Sequence, residues 1–164
     1  MTEVSYRAAA EMTGAMAFEV ISSVAELHLA YGDAKAAAKA SEAITDAVIE
    51  AAGDSWLGPA VASGMAKASK AGMSEAIASA TSEAAAPNAL RVVEGIGVLT
   101  VEVCFRLGAL HMVLGDTKAA AAVARTIPIA VLKTAGNLGP VLADVMQARL
   151  RDKAAELQEA ERHG

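Results

Sequence analysis

One segment of 43 residues occurs twice in this chain, at residues 11–53 and again at residues 94–136. Aligned without a gap at an offset of 83 residues, 17 of the 43 pairs are identical, and they include polar and turn residues that alanine bias alone would not align. A two-residue deletion then extends the repeat to residues 11–67 and 94–148. Repetition on this scale predicts a duplicated helical unit that packs on itself about a pseudo-twofold axis. The informative pairs are Glu11/Glu94, Gly14/Gly97, Glu19/Glu102, Leu27/Leu110, His28/His111, Gly32/Gly115, Asp33/Asp116, Lys35/Lys118 and, after the deletion, Leu57-Gly58-Pro59/Leu138-Gly139-Pro140.

Composition limits both the core and the partners of such a unit. At 164 residues the chain fits a single domain, residues 1–164, with a continuous core. Apolar residues make up 54% but aromatic residues only 3%, so the helices are expected to pack closely through small side chains. A net charge of −5 leaves no basic patch for general nucleic-acid binding. The one cysteine, Cys104, excludes an intramolecular disulfide framework and fits a reducing compartment.

Two features bear on membranes and location. The N-terminal residues lack the basic and apolar regions of a signal peptide, so a cytoplasmic protein is expected, with leaderless secretion left open. The best candidate for a transmembrane segment, Gly95–Leu114, contains Glu102, Arg106 and His111. Each charge costs about 2.5–3.5 kcal/mol near a bilayer centre, so a buried helix of a soluble protein is the preferred interpretation.

Turn residues divide the chain into six predicted helices in two groups of three. Gly32-Asp33 and Gly115-Asp116 each end one helix and cap the next, because glycine accepts positive φ and aspartate is a good N-cap. No alternating β-branched run indicates a strand. We therefore predict an all-α, single-domain bundle of about six helices built from two duplicated three-helix halves. The expected helices are Val4–Tyr31, Ala34–Ala52, Asp54 or Ser55 to about Ala85, Ala89–Leu114, Thr117–Ala135 and Leu138 to about Arg162.

Three single residues add finer expectations. Gly14 and Gly97 should mark the point where the long first and fourth helices cross, because a missing side chain permits close approach. Pro128 falls inside the fifth helix, where the first copy has Thr45, and should kink or restart that helix.

The repeated histidines form the chain's one chemically suggestive pair. On a helical wheel His28 and His111 each fall in the middle of an apolar stripe. Glu19 and Glu102 fall on the opposite, solvated face, where the i,i+4 spacing predicts that Glu102 pairs with Arg106. Both imidazoles should therefore point into the core as related partners. Three interpretations stay open: hydrogen-bonded core residues, axial ligands of a haem or part of a metal site, or a catalytic or pH-sensing pair.

A second sequence feature distinguishes the two copies. Trp56-Leu57-Gly58, between two helical stretches, resembles the Trp-x-Gly turn of the WXG100 proteins, which are small exported helical hairpins. The C-terminal export signal of that family does not follow the third helix, and Asn137 replaces Trp56 in the second copy. No family membership is inferred from three residues.

No phosphate loop, nucleophile elbow or Ser/His/Asp arrangement is present, so no catalytic residue is assigned. The sequence favours a non-enzymatic interaction or assembly protein that forms a homo-oligomer or binds a protein partner. One alternative is a bundle that binds haem or a metal through His28 and His111. Another is a protein of a membrane or granule surface, including a pore-forming toxin.

Overall fold

The computed structural model of the chain describes residues 2–80 and 89–163, and the side chains of all of these except residues 72–80. Every regular element in this part of the chain is helical, which confirms the all-α prediction. A short 3-10 turn, Gly136–Leu138, joins the last two helices. The predicted end of the third helix near Ala85, at Pro87-Asn88, lies outside the described residues. The helices are α1 (Glu3–Ala30), α2 (Ala34–Ala52), α3 (Leu57–Ala80), α4 (Ala89–Val113), α5 (Thr117–Thr134) and α6 (Gly139–His163).

The two predicted turns form as expected from their local chemistry. The side chain of Asp33 accepts a hydrogen bond from the backbone N–H of Ala36 at 2.9 Å, and Asp116 accepts one from Ala119 at 2.9 Å. The preceding glycines adopt φ values of +76° and +77°, a backbone conformation that residues other than glycine rarely adopt. Each turn therefore closes one helix and caps the next.

The helices pack around an antiparallel pair, α1 and α4. Arg106, toward the end of α4, lies 3.9 Å from Met12 in the first half of α1. Val93, near the start of α4, and Leu27, near the end of α1, line one cleft between the two helices. Within each half, α1 contacts α2 and α3, and α4 contacts α5 and α6; α2 also contacts α5 across the halves. The bundle thus has two ends, named below the Trp56 end and the Asn137 end after residues in the connections that follow α2 and α5.

Residues from both halves meet at the centre of the bundle. Ala17, Val20 and Ile44 of the first half surround one point together with their counterparts, the residues 83 positions later in the chain. This is the arrangement expected if a twofold axis relates the halves and passes through that point. Those counterparts are Thr100, Val103 and Ile127.

The repeated glycines have a different role from the one predicted. Each of them lies against the third helix of its own half and does not mark the place where α1 crosses α4. A Cβ atom on Gly14 would overlap the carbonyl oxygen of Val61, and one on Gly64 would overlap that of Glu11, so α1 and α3 touch backbone to backbone. Gly97 instead faces the side chain of Val145 on α6. The first half is therefore more closely packed at this point than the second.

Pro128 also departs from the expectation in part. The fifth helix runs from Thr117 to Thr134 without the restart that was one of the two predicted outcomes. Proline removes the hydrogen bond to the carbonyl four residues earlier, which belongs to Ala124. Because Ala124 is exposed, water can solvate that carbonyl and the helix continues.

Candidate functional site

Each of the repeated histidines binds a helix end that belongs to the other half. The Nε2 atom of His28 on α1 lies 2.5 Å from the carbonyl oxygen of Thr134, the last residue of α5. The Nε2 atom of His111 on α4 lies 2.8 Å from the carbonyl oxygen of Ala51, in the last turn of α2. Because Ala51 and Thr134 are themselves 83 residues apart, the two contacts are counterparts of one another.

These contacts define what the imidazoles can do chemically. A carbonyl oxygen only accepts hydrogen bonds, so Nε2 of each histidine carries the proton and donates it. The last carbonyls of a helix have no partner within the helix, and each imidazole supplies one across the boundary between the halves. The Nε2 atoms are therefore occupied by structural hydrogen bonds.

The structure does not bring the two predicted site residues together. Arg106 and Met12 mark one level of the antiparallel pair, and His28 lies 16 residues from Met12 toward the Asn137 end. His111 lies five residues from Arg106 toward the Trp56 end. With a rise of about 1.5 Å per helical residue, the imidazoles are about 30 Å apart. A single haem or metal ion, whose ligand nitrogens lie about 2 Å from it, could not be held by both histidines of one chain.

The surroundings of the two histidines differ. His111 is buried at the Trp56 end, whereas His28 forms part of the wall of a cleft of about 650 Å³ at the Asn137 end. The floor of the cleft is apolar and its rim is polar. The floor residues are Val24, Leu27, Val93, Ile96, Leu138 and Leu142, and the polar residues of the rim are Tyr31, Asp33, Lys39, Lys133, Thr134 and Asn137.

A sequence difference between the copies coincides with this asymmetry. At the Trp56 end, Trp56 is half-buried against the core, with the guanidinium of Arg7 5.9 Å from its ring centroid. At the other end, the connection is two residues shorter and Asn137 stands in place of the tryptophan. Asn137 is exposed and lines the cleft, so the second half has a small polar residue beside the cleft at the position where the first half has an indole.

Two further kinds of chemical site are a reactive cysteine and a metal-binding cluster of side chains. Burial raises the pKa of the Cys104 thiol to about 12, so this thiol stays protonated and is a poor nucleophile or metal ligand at neutral pH. Among the residues that the structure describes, no group of three or more His, Cys, Asp or Glu side chains is placed to hold a metal ion.

Glu102 pairs with Arg106 as the i,i+4 spacing predicts, but its side chain is only 20% exposed and does not lie on a solvated face. Its carboxylate lies 3.1 Å from Lys153, 3.4 Å from Arg106 and 3.8 Å from Arg149. Burial alone would raise the pKa of Glu102, but the hydrogen bond from Lys153 and the three positive charges outweigh it, and the pKa is lowered. The cluster therefore joins α4 to α6, two helices whose contact lacks the backbone packing of α1 with α3.

Glu102→Gln should lower the free energy of unfolding by about 1–2 kcal/mol at neutral pH, because charge-assisted hydrogen bonds are lost. A carboxyl whose pKa is lowered by folding stabilises the protein above its unfolded-state pKa and loses that contribution as pH falls through the folded-state pKa. The difference between Glu102→Gln and the unmodified protein should therefore be smaller at about pH 4 than at about pH 7 in urea titrations, and should shrink further as the pH is lowered. Glu19→Gln, which alters the exposed counterpart, is the control and should change little. An equal loss for Glu102→Gln at both pH values would contradict the role of the charge cluster.

Comparison with known proteins found no matching family model, no matching curated protein and no matching solved structure.

Proposed function

We propose that the chain is a non-enzymatic assembly protein that associates with a second copy of itself through one face of α4 and α6. The observation that carries the proposal is a set of exposed or half-exposed apolar side chains at heptad spacing on these two neighbouring helices. Val98, Phe105 and Met112 lie seven residues apart on α4, and Leu150 and Leu157 lie seven apart on α6. These five residues are called the α4/α6 face.

The two rows of the face adjoin one another. Lys153, between the two leucines of α6, lies 5.8 Å from the ring centroid of Phe105 and 3.1 Å from Glu102. The ammonium group of Lys153 thus has an ion-pair partner within the chain. Helices associate through seams in which apolar side chains occupy two positions of every seven residues, and here each of the two neighbouring helices supplies one such row.

The face fits a second copy because it is symmetric about its own middle. Phe105 lies midway between Val98 and Met112, and Lys153 lies between Leu150 and Leu157. A 180° rotation about an axis perpendicular to the helices, at the level of Phe105 and Lys153, exchanges the outer apolar residues of each row and leaves the pattern of apolar positions unchanged. A twofold dimer needs such a self-complementary patch. The first half lacks it, because the counterparts of Val98 and Phe105 are Ala15 and Ser22.

Sedimentation tests the proposal. The protein should be dimeric at about 100 µM and dissociate on dilution, and Met112→Glu/Leu157→Glu should raise the dissociation constant at least about tenfold, because it places charges in an apolar seam. The matched control is Leu29→Glu, which changes the exposed counterpart of Met112 and should leave the dimer intact. A monomer at all concentrations, or a double variant that dimerises normally, would overturn the proposal.

A lipid surface is the competing occupant, because α4 is the one described helix that is long and apolar enough to cross a membrane, with 44% of its most apolar window buried in the bundle. Flotation with phosphatidylcholine vesicles separates the two. Dimeric protein that stays with the soluble fraction supports self-assembly, whereas monomeric protein that floats with the vesicles contradicts it.

A further inference from the structure

We infer that the cleft at the Asn137 end is a binding site for an aromatic carboxylate, separate from the proposed assembly face. Its volume of about 650 Å³ falls within the range of small-molecule sites, about 300–1,000 Å³. Such sites combine an apolar floor with a few polar groups that fix orientation, as this cleft does. Val24, Val93 and Ile96 provide a floor that is almost fully buried.

The size and aromatic character of the ligand are inferred from the Trp56 end of the bundle. There the chain places its own indole, that of Trp56, against the core beside Arg7. The second half repeats the helices around this place but supplies only Asn137. A flat aromatic group of indole or naphthalene size would supply at this place the kind of ring that the first half carries at the aligned position, Trp56.

The charge of the ligand follows from two lysines of the rim. Lys39 and Lys133 line the cleft, and their counterparts at the Trp56 end are Ala122 and Glu50, so these cations are specific to the open end. No ion pair joins either lysine to another of the described residues. Among the described residues that line the cleft, the one carboxylate is that of Asp33, and it is engaged in capping α2. An anionic group at the mouth would therefore meet two cations and one engaged carboxylate, with an apolar floor beneath.

One wall of the cleft, which includes His28 and Tyr31, is suited to an aromatic ligand. His28 keeps its Nε2–H on the carbonyl oxygen of Thr134, which satisfies a helix-end acceptor inside the cleft. The ring of His28 is thereby held in place where it lines the cleft. Tyr31, which is exposed at the rim, adds a second ring at the mouth.

The test uses 2-naphthoate and its neutral analogue 2-naphthalenemethanol, with binding measured by calorimetry and by NMR titration of the full chain. Naphthoate should bind more tightly than the alcohol. Lys133→Glu, which copies the residue of the closed end, should weaken naphthoate at least about tenfold and change the alcohol by less than about twofold, because only the anion feels the charge. Lys118→Glu, at the other end of the same helix, is the matched control and should leave both affinities unchanged.

A second variant tests the location independently of charge. Asn137→Trp restores the aromatic residue of the closed end and should weaken both probes at least about tenfold, because it occupies their space. Asp54→Trp adds an exposed tryptophan at the opposite end and is its control. Fluorescence of Trp56, the one native tryptophan, should not respond to naphthoate, since it lies at the other end of the bundle.

Three results would overturn the inference: no naphthoate binding at millimolar concentration, equal binding of acid and alcohol, or full naphthoate affinity in both folded variants. Circular dichroism establishes that each variant is folded before its affinity is measured.

Discussion

Gly64→Ala should destabilise the protein by about 3 kcal/mol or more, because the added methyl group has no space. A Cβ atom at this position would overlap the carbonyl oxygen of Glu11 on α1. Backbone atoms cannot turn away as a side chain can, so α1 and α3 would have to separate and lose packing along their length. Urea denaturation followed by circular dichroism measures the effect.

Two other glycines calibrate this result. Gly95 has no atom within 4 Å of an added Cβ, so Gly95→Ala should stabilise the protein by about 0.5–1 kcal/mol through helix propensity. Gly97 faces the side chain of Val145, which can shift, so Gly97→Ala should cost about 1–2 kcal/mol. Similar values for Gly64→Ala and Gly95→Ala would show that α1 and α3 do not touch backbone to backbone.

His111→Ala should cost about 3 kcal/mol, and His28→Ala only about 1 kcal/mol, although the two residues make counterpart hydrogen bonds. His111 is 4% exposed, so its removal leaves a buried cavity and the unpaired carbonyl of Ala51. His28 borders the open cleft, where water can reach the carbonyl of Thr134 after the imidazole is gone. Thermal and urea unfolding of both variants provide the comparison.

A conservative substitution separates the hydrogen bond from the packing. His111→Gln retains an N–H donor of similar reach and should recover about 1 kcal/mol of the loss caused by His111→Ala. Equal destabilisation by His28→Ala and His111→Ala would contradict the assigned difference between the two ends.

Features with local causes could be predicted from the sequence. The Gly32-Asp33 and Gly115-Asp116 turns depend on residues within one helical turn, and the ends of five helices agree with the predictions to within one residue. The twofold relation of the halves stays a prediction, which the offset of 83 residues between their contacts supports.

Features that depend on the relative placement of helices could not be predicted. A helical wheel gives the face of His28 but not its level along the bundle, so it could not reveal that antiparallel helices carry the histidines to opposite ends. Nor could it place Arg149 and Lys153, which are about fifty residues away in sequence, beside Glu102. The cleft is lined by residues of both halves that are far apart in sequence, and the replacement of Trp56 by Asn137 was the one sequence difference noted beside it.

The two histidine contacts between the halves have a consequence for how such a chain could arise. Each half donates a hydrogen bond to a helix end of the opposite half, through His28 on Thr134 and His111 on Ala51. If one ancestral gene encoded a single half, two copies of that half could have exchanged these bonds as separate polypeptides. Gene fusion would then have made permanent a pairing that the ancestor could already form.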